Sequence, residues 1–216
     1  MNRVRTFLKC GGIIGITKRI HVSVFSFAAF ALFYFGQKSV YVPLLLSAAL
    51  LHELSHLFFL SLFGARVKRI TVFPFGIDIN ADTSRLSYKK ELICTLSGCI
   101  LNLLLASFCC TLLHFFPSPP LLFFTLCNVF LGAFNLIPLS FFDGGKALRL
   151  ILYDNLDIDK AYYLHRLLDI FSAFAFLVLS FLITVGSDFN LSVICVLIYA
   201  ALSTFAAYEK KPDVGV

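Results

Sequence analysis

The chain has 216 residues, of which 59% are hydrophobic and 14% charged, and its mean hydropathy is +0.90. A soluble domain carries about a quarter charged residues, so this composition excludes an ordinary soluble protein and indicates an integral membrane protein with room for one membrane domain. The net charge of +6 is confined to segments between apolar runs, which fits membrane topology rather than nucleic-acid binding.

Residues 1–19 form a basic arm with Arg3, Arg5, Lys9, Lys18 and Arg19. Ile20–Gln37 carries no formal charge and is just long enough to reach across a ~30 Å hydrocarbon core, so it is the first expected span. No small-residue cleavage site follows it, and it is expected to stay as an anchor. After a turn at Lys38, a second span runs from Tyr41 to Phe63, with Pro43 tolerated in its first turn.

That second span holds His52-Glu53-Leu54-Ser55-His56, an HExxH pattern. Two histidines four residues apart share a helix face and can reach one ion, while Glu53 beside them is placed to act as a base. Zinc suits imidazole and carboxylate donors. Glu53 is the only Asp, Glu, Lys or Arg in residues 39–65. Ionisable groups at mid-membrane cost several kcal/mol without partners, so a functional site outweighs a chance match here.

Residues 66–91 break the apolar pattern. Ile70, Val72 and Phe73 favour a strand, and Pro74 and Gly76 suit an edge or bend, so a short membrane-associated β-hairpin is expected. From Leu92 to Phe142 no Asp, Glu, Lys or Arg occurs, and Pro117-Ser118-Pro119-Pro120 divides a third span (92–116) from a fourth (121–142). A polar loop, part helical, follows over 146–169. Ile170–Ser187 and Phe189–Tyr208 are the fifth and sixth spans, and 209–216 is a short tail. The seven cysteines form no CxxC pair and read as small buried hydrophobes.

The expected fold is therefore an all-α polytopic membrane protein: six transmembrane helices in residues 20–208, with a β-hairpin after the second. Six spans put both termini on one side. Lys and Arg then number five before the first span, six in 66–90, four in 146–166 and two in the tail, against Lys38 alone on the other side. This asymmetry assigns both termini to the cytoplasm.

Two histidines need a third protein ligand. Only Glu53, Glu91 and Glu209 are glutamates, and neither Glu91 nor Glu209 lies within a span. Asp143, closing an uncharged span on the metal's side of the membrane, is the better candidate. Its plainer role is to cap the helix starting at Gly144.

At this point the chain resembles the site-2 proteases, the intramembrane zinc metalloproteases. The resemblance rests on the HExxH pattern, on Gly98-Cys-Ile-Leu-Asn102, and on Asn135-Leu-Ile-Pro138-Leu-Ser-Phe-Phe-Asp143-Gly144, with Phe73-Pro74-Phe75-Gly76 similar to the family's membrane-embedded β-element. The six-span layout is similar to the bacterial sporulation branch that processes a sigma-factor precursor. Phe142 stands where the family usually has Leu. The chain also stops where that branch continues into a nucleotide-binding regulatory domain.

The resemblance implies one zinc per chain held by His52, His56 and Asp143, with Glu53 as general base and proton shuttle. Asn135 would bind the substrate or the developing oxyanion; an interhelical hydrogen bond is an equal alternative for it. The expected partners are a membrane-tethered protein substrate, the lipid bilayer and inhibitory membrane proteins, with no nucleic acid, in a bacterial cell membrane. Two other functions use the same residues. A metal transporter predicts further polar residues along the spans, and the fifth and sixth offer few. An idle scaffold would not require Glu53.

Overall fold

The computed structural model describes residues 13–17, 20–23, 40–73, 76–140 and 142–186. Two compact units divide the chain, Met1–Gly132 and Ala133–Val216.

In the first unit, helix α1 spans Tyr41–Leu62 and helix α2 spans Tyr88–Phe115. Both are long and apolar enough to cross a membrane; α3, Pro119–Asn135, is shorter and also apolar. Six transmembrane helices are not shown, and the sixth expected span lies outside the described residues. Helix α1 packs along α2. Its buried positions include Ala48, His52, Ser55, His56 and Leu60, whereas Leu50, Leu54, Phe58 and Leu62 are exposed. Helix α2 repeats this arrangement: Cys94, Gly98, Asn102 and Ala106 recur every fourth residue on the buried side, and Ile100, Leu104 and Phe108 face outward. Small and polar residues inside with large apolar ones outside is the pattern of helices packed within lipid. There, burying leucine against protein gains nothing over leaving it in lipid.

Helix α1 ends in a left-handed residue, Gly64, with φ 77°. The Gly64 N–H donates to the Ser61 carbonyl and the Ala65 N–H to the Leu60 carbonyl, a Schellman termination that satisfies two end carbonyls and turns the chain. A strand then starts at once: β3, Arg66–Phe73, pairs antiparallel with β4, Gly76–Asp82. The expected hairpin is therefore present, although Pro74 and Phe75 at its tip lie outside the described residues.

The sheet is larger than expected. Ile13–Thr17 forms β1 and Ile20–Ser23 forms β2, and the strand order is β1-β2-β3-β4. Strand β2 runs parallel to β3, with Ile20 opposite Ile70 and Val22 opposite Val72. This corrects the first expected span, which begins as a β-strand: β-branched Ile20 and Val22 complete a sheet edge that β3 would otherwise leave open. Residues 24–39 lie outside the described residues.

Two further boundaries differ from expectation. Helix α3 starts with Pro119, which suits a first helical position, and stops at Asn135 instead of continuing to Phe142. Pro138 has no N–H to donate and its ring opposes continued helix, so residues 136–140 leave the helix. In the second unit, α4 spans Asp143–Asn155 and α5 spans Ile158–Gly186, so the expected polar loop is largely helical and the fifth span is the later part of a 29-residue helix.

Residues 136–140 are anchored by Leu139, 1% exposed, packed with Ile137, Phe142 and Ala173. The Ser140 N–H donates to Asp169 Oδ1 at 2.7 Å. Gly144 and Gly145 let α4 start directly against this segment: a Cβ at Gly144 would strike the Leu136 carbonyl, and one at Gly145 the Leu139 carbonyl.

Candidate metal centre

His52 and His56 project from α1 onto the small-residue stripe of α2, and both are buried, at 4% and 9% exposure. Their Nε2 atoms face each other at 3.2 Å. Two nitrogens each about 2.0–2.1 Å from a tetrahedral zinc lie roughly 3.3 Å apart, so the pair already has the spacing of two ligands on one ion.

Helix α2 supplies what keeps this pair in place. The Cys94 carbonyl lies 2.8 Å from His56 Nδ1. A carbonyl only accepts, so Nδ1 carries the proton and the Nε2 lone pair points toward His52, as a metal ligand requires. Gly98 supplies space. A Cβ there would lie 2.5 Å from His56 Nε2 and 2.8 Å from His52 Nε2. Any side chain at 98 would therefore enter the volume where the two lone pairs converge. The donor set, the tautomer and the open volume fit a zinc ion.

Glu53 follows His52 on α1 and is half-buried. Glu91, the glutamate set aside above, accepts a hydrogen bond from Thr83 Oγ1 at 3.0 Å and ties the loop before α2 to its first turn. That is a structural role.

The second unit contains the other two expected site residues. Asp143 is 7% exposed and stands in the first turn of α4, where a carboxylate interacts favourably with the helix dipole. The cap position is Phe142, so Asp143 is not the N-cap. Lys146 Nζ lies 3.1 Å from Asp143 Oδ1. Asn135 is the last residue of α3 and is half-buried. Of the remaining histidines, His165 contacts the Gly145 carbonyl at 3.3 Å and His114 lies in the last turn of α2, so both have local structural partners.

The sequence reading missed Cys94 and Ser97 and used Gly98 only as the first residue of the Gly98–Asn102 motif. A backbone carbonyl has no residue signature. The Gly98 role had one usable signal, a glycine within a long apolar helix beside an HExxH helix.

Three comparisons with known proteins agree. The model of peptidase family M50 matches residues 116–180. A zinc metalloprotease of Methanocaldococcus jannaschii is 32% identical over 114 residues, which are 50% of this chain and 33% of that protein. The chain thus spans about a third of that relative's length. The solved structure of a site-2 protease from Methanocaldococcus jannaschii has the same fold, with a TM-score of 0.64 over 95% of this chain and 98% of that one, at 20% identity. Together these matches support the site-2 protease (M50) family.

Proposed function

We propose that the chain is an intramembrane zinc metalloprotease that cuts a membrane-associated protein within or next to its membrane segment. The observation that carries this reading is the His52–His56 pair, with Nε2 atoms 3.2 Å apart above the side-chain-free Gly98. His52, His56 and Asp143 hold one zinc per chain. Support for Asp143 comes from the Asn135–Gly144 stretch, which resembles the family's motif.

When bound, zinc acidifies a water and polarises the scissile carbonyl. Glu53 accepts a proton from the attacking water at its carboxylate and delivers it to the leaving amine nitrogen. Asn135 donates its carboxamide N–H to the carbonyl oxygen as negative charge develops there. A helical substrate hides its carbonyls in its own hydrogen bonds and must open locally before attack.

The opened segment is taken up by strand addition. Ile70–Val72 of β3 is paired on both sides, by β2 and by β4, so among the described residues the free edge at this end of the sheet belongs to β4.

The finer assignments follow from the family likeness and the charge pattern. They are six spans with both termini cytoplasmic in a bacterial cell membrane, a membrane-tethered substrate such as a sigma-factor precursor, a role in sporulation by regulated intramembrane proteolysis, and control by inhibitory membrane proteins. Glu53→Gln tests the mechanism. The purified variant should retain about one zinc per chain and lose cleavage of a co-expressed tethered substrate. Substantial residual proteolysis would refute Glu53 as the base.

A further inference from the structure

The hydroxyl of Ser97 has no place in the mechanism above, yet it is buried, at 3% exposure, and lies against Nδ1 of His56 on α1. Ser97 Oγ donates to the Cys94 carbonyl at 2.8 Å and lies 3.3 Å from His56 Nδ1. The Cys94 carbonyl is itself the 2.8 Å partner of Nδ1. With its own proton directed at Cys94, the hydroxyl presents only lone pairs to the ring. The Nδ1–H is therefore shared between two acceptors, one a backbone carbonyl and the other a side chain.

We infer that Ser97 is a positioning residue for His56: beside the Cys94 carbonyl, which sets the Nδ1–H tautomer, its hydroxyl is a second acceptor that fixes the ring's orientation and so the direction of the Nε2 lone pair toward the metal. The inference rests on the metal-site reading. Physical support comes from the spacing along α2. Cys94, Ser97 and Gly98 occupy one turn on the buried side, so one short stretch supplies the carbonyl, the hydroxyl and the missing side chain around the same ring. Groups that hold the non-ligating nitrogen of a metal-binding histidine set ring orientation and ligand basicity, and losing one typically weakens metal binding about 10- to 100-fold. The retained Cys94 carbonyl places Ser97 at the low end of that range, about tenfold.

The test uses the full chain in lipid nanodiscs, with two readouts that need no proteolysis. Zinc affinity is measured by competition with a chelator, and the His56 tautomer is read in the metal-free protein from imidazole nitrogen chemical shifts. Ser97→Ala should bind zinc about tenfold more weakly and show displaced His56 nitrogen shifts, because the Nδ1–H has lost one of its two acceptors. Ser97→Thr, which keeps the hydroxyl, should stay near wild type on both readouts. Ser97→Val, matched in shape to Thr without the hydroxyl, should behave like the alanine variant, so the Thr/Val contrast decides the matter if alanine alone disturbs folding. Zinc affinity within twofold of wild type and unchanged His56 nitrogen shifts in both Ala and Val variants would overturn the role of Ser97 while leaving the metal site intact. If His56→Ala also binds zinc like wild type, the metal-site reading itself fails.

Discussion

Gly98 is the position where a single methyl group has the largest expected effect. Alanine there puts a carbon within 2.5–2.8 Å of both ligand nitrogens, and the neighbours on α1 are ring atoms that cannot yield without turning the lone pairs away. Gly98→Ala should therefore lose zinc at least about tenfold in affinity while α2 remains helical, because alanine is the better helix former. Metal titration with circular dichroism in parallel checks it, and wild-type zinc affinity would contradict it. Asp143→Asn is the second residue-scale prediction. A neutral carboxamide is a weaker ligand, so both zinc binding and cleavage should fall together. Glu91→Gln is the matched control: Glu91 accepts from Thr83, an amide oxygen can accept as well, and zinc content should not change. An active, zinc-loaded Asp143→Asn protein would remove the third ligand.

At the scale of elements, the free edge of β4 and the start of α4 each carry a prediction. Adjacent β-residues direct their N–H groups to opposite sides of the strand, so Ile79→Pro and Asn80→Pro should behave differently. The one that removes an outward N–H should lower cleavage while leaving zinc binding in place; the other should disturb the hairpin. Equal, wild-type cleavage by both would exclude strand addition at β4.

Helix α4 is held to α5 by His165, whose Nε2–H donates to the Gly145 carbonyl. Burial pushes the His165 pKa below its ordinary 6.5, against the raising effects of Gly145 and Asp169. The folded unit thus favours neutral imidazole. Its contribution is present above about pH 6.5 and is lost as pH falls through the lowered value. Amide exchange in α4 should quicken below pH 6.5 after correction for intrinsic rates, and His165→Gln should abolish that dependence. In the first unit Asp82 behaves differently. The Ser84 hydroxyl and then Lys68 hold its carboxyl down to about 2, so that corner of the hairpin loosens only in strong acid.

For the whole molecule, the charge asymmetry predicts that the two ends of α2 lie on opposite sides of the membrane. A 28-residue helix is about 42 Å long, which exceeds the hydrocarbon thickness. Cysteines placed at Arg85 and Ser118 should be labelled by impermeant reagents from opposite faces of sealed vesicles, with Arg85 cytoplasmic. Labelling of both from one face would overturn the topology.

What the sequence determined by itself was local in origin. The HExxH spacing puts two imidazoles on one helix face because an α-helix repeats every 3.6 residues. The uncharged runs identify helices α1 and α2 because unpaired charge is costly in hydrocarbon. Ile70, Val72 and Phe73, with Pro74 and Gly76 after them, identify the hairpin, since β-branched and aromatic side chains favour strands and proline and glycine favour edges and bends. Tertiary structure decided the rest. Ile20–Ser23 reads as apolar span in isolation and becomes a strand only because β3 offers a parallel edge 50 residues away. Asn135 to Phe142 reads as the end of one uncharged run, yet Pro138 ends α3 and the carbonyls of Leu136 and Leu139 demand the two glycines that let α4 begin. The roles of Cys94, Ser97 and Gly98 exist only where α2 lies against the histidines of α1. A hydrogen bond to a backbone carbonyl and a contact that only hydrogen can fit depend on distances between chain segments, and no residue type along the chain encodes them alone.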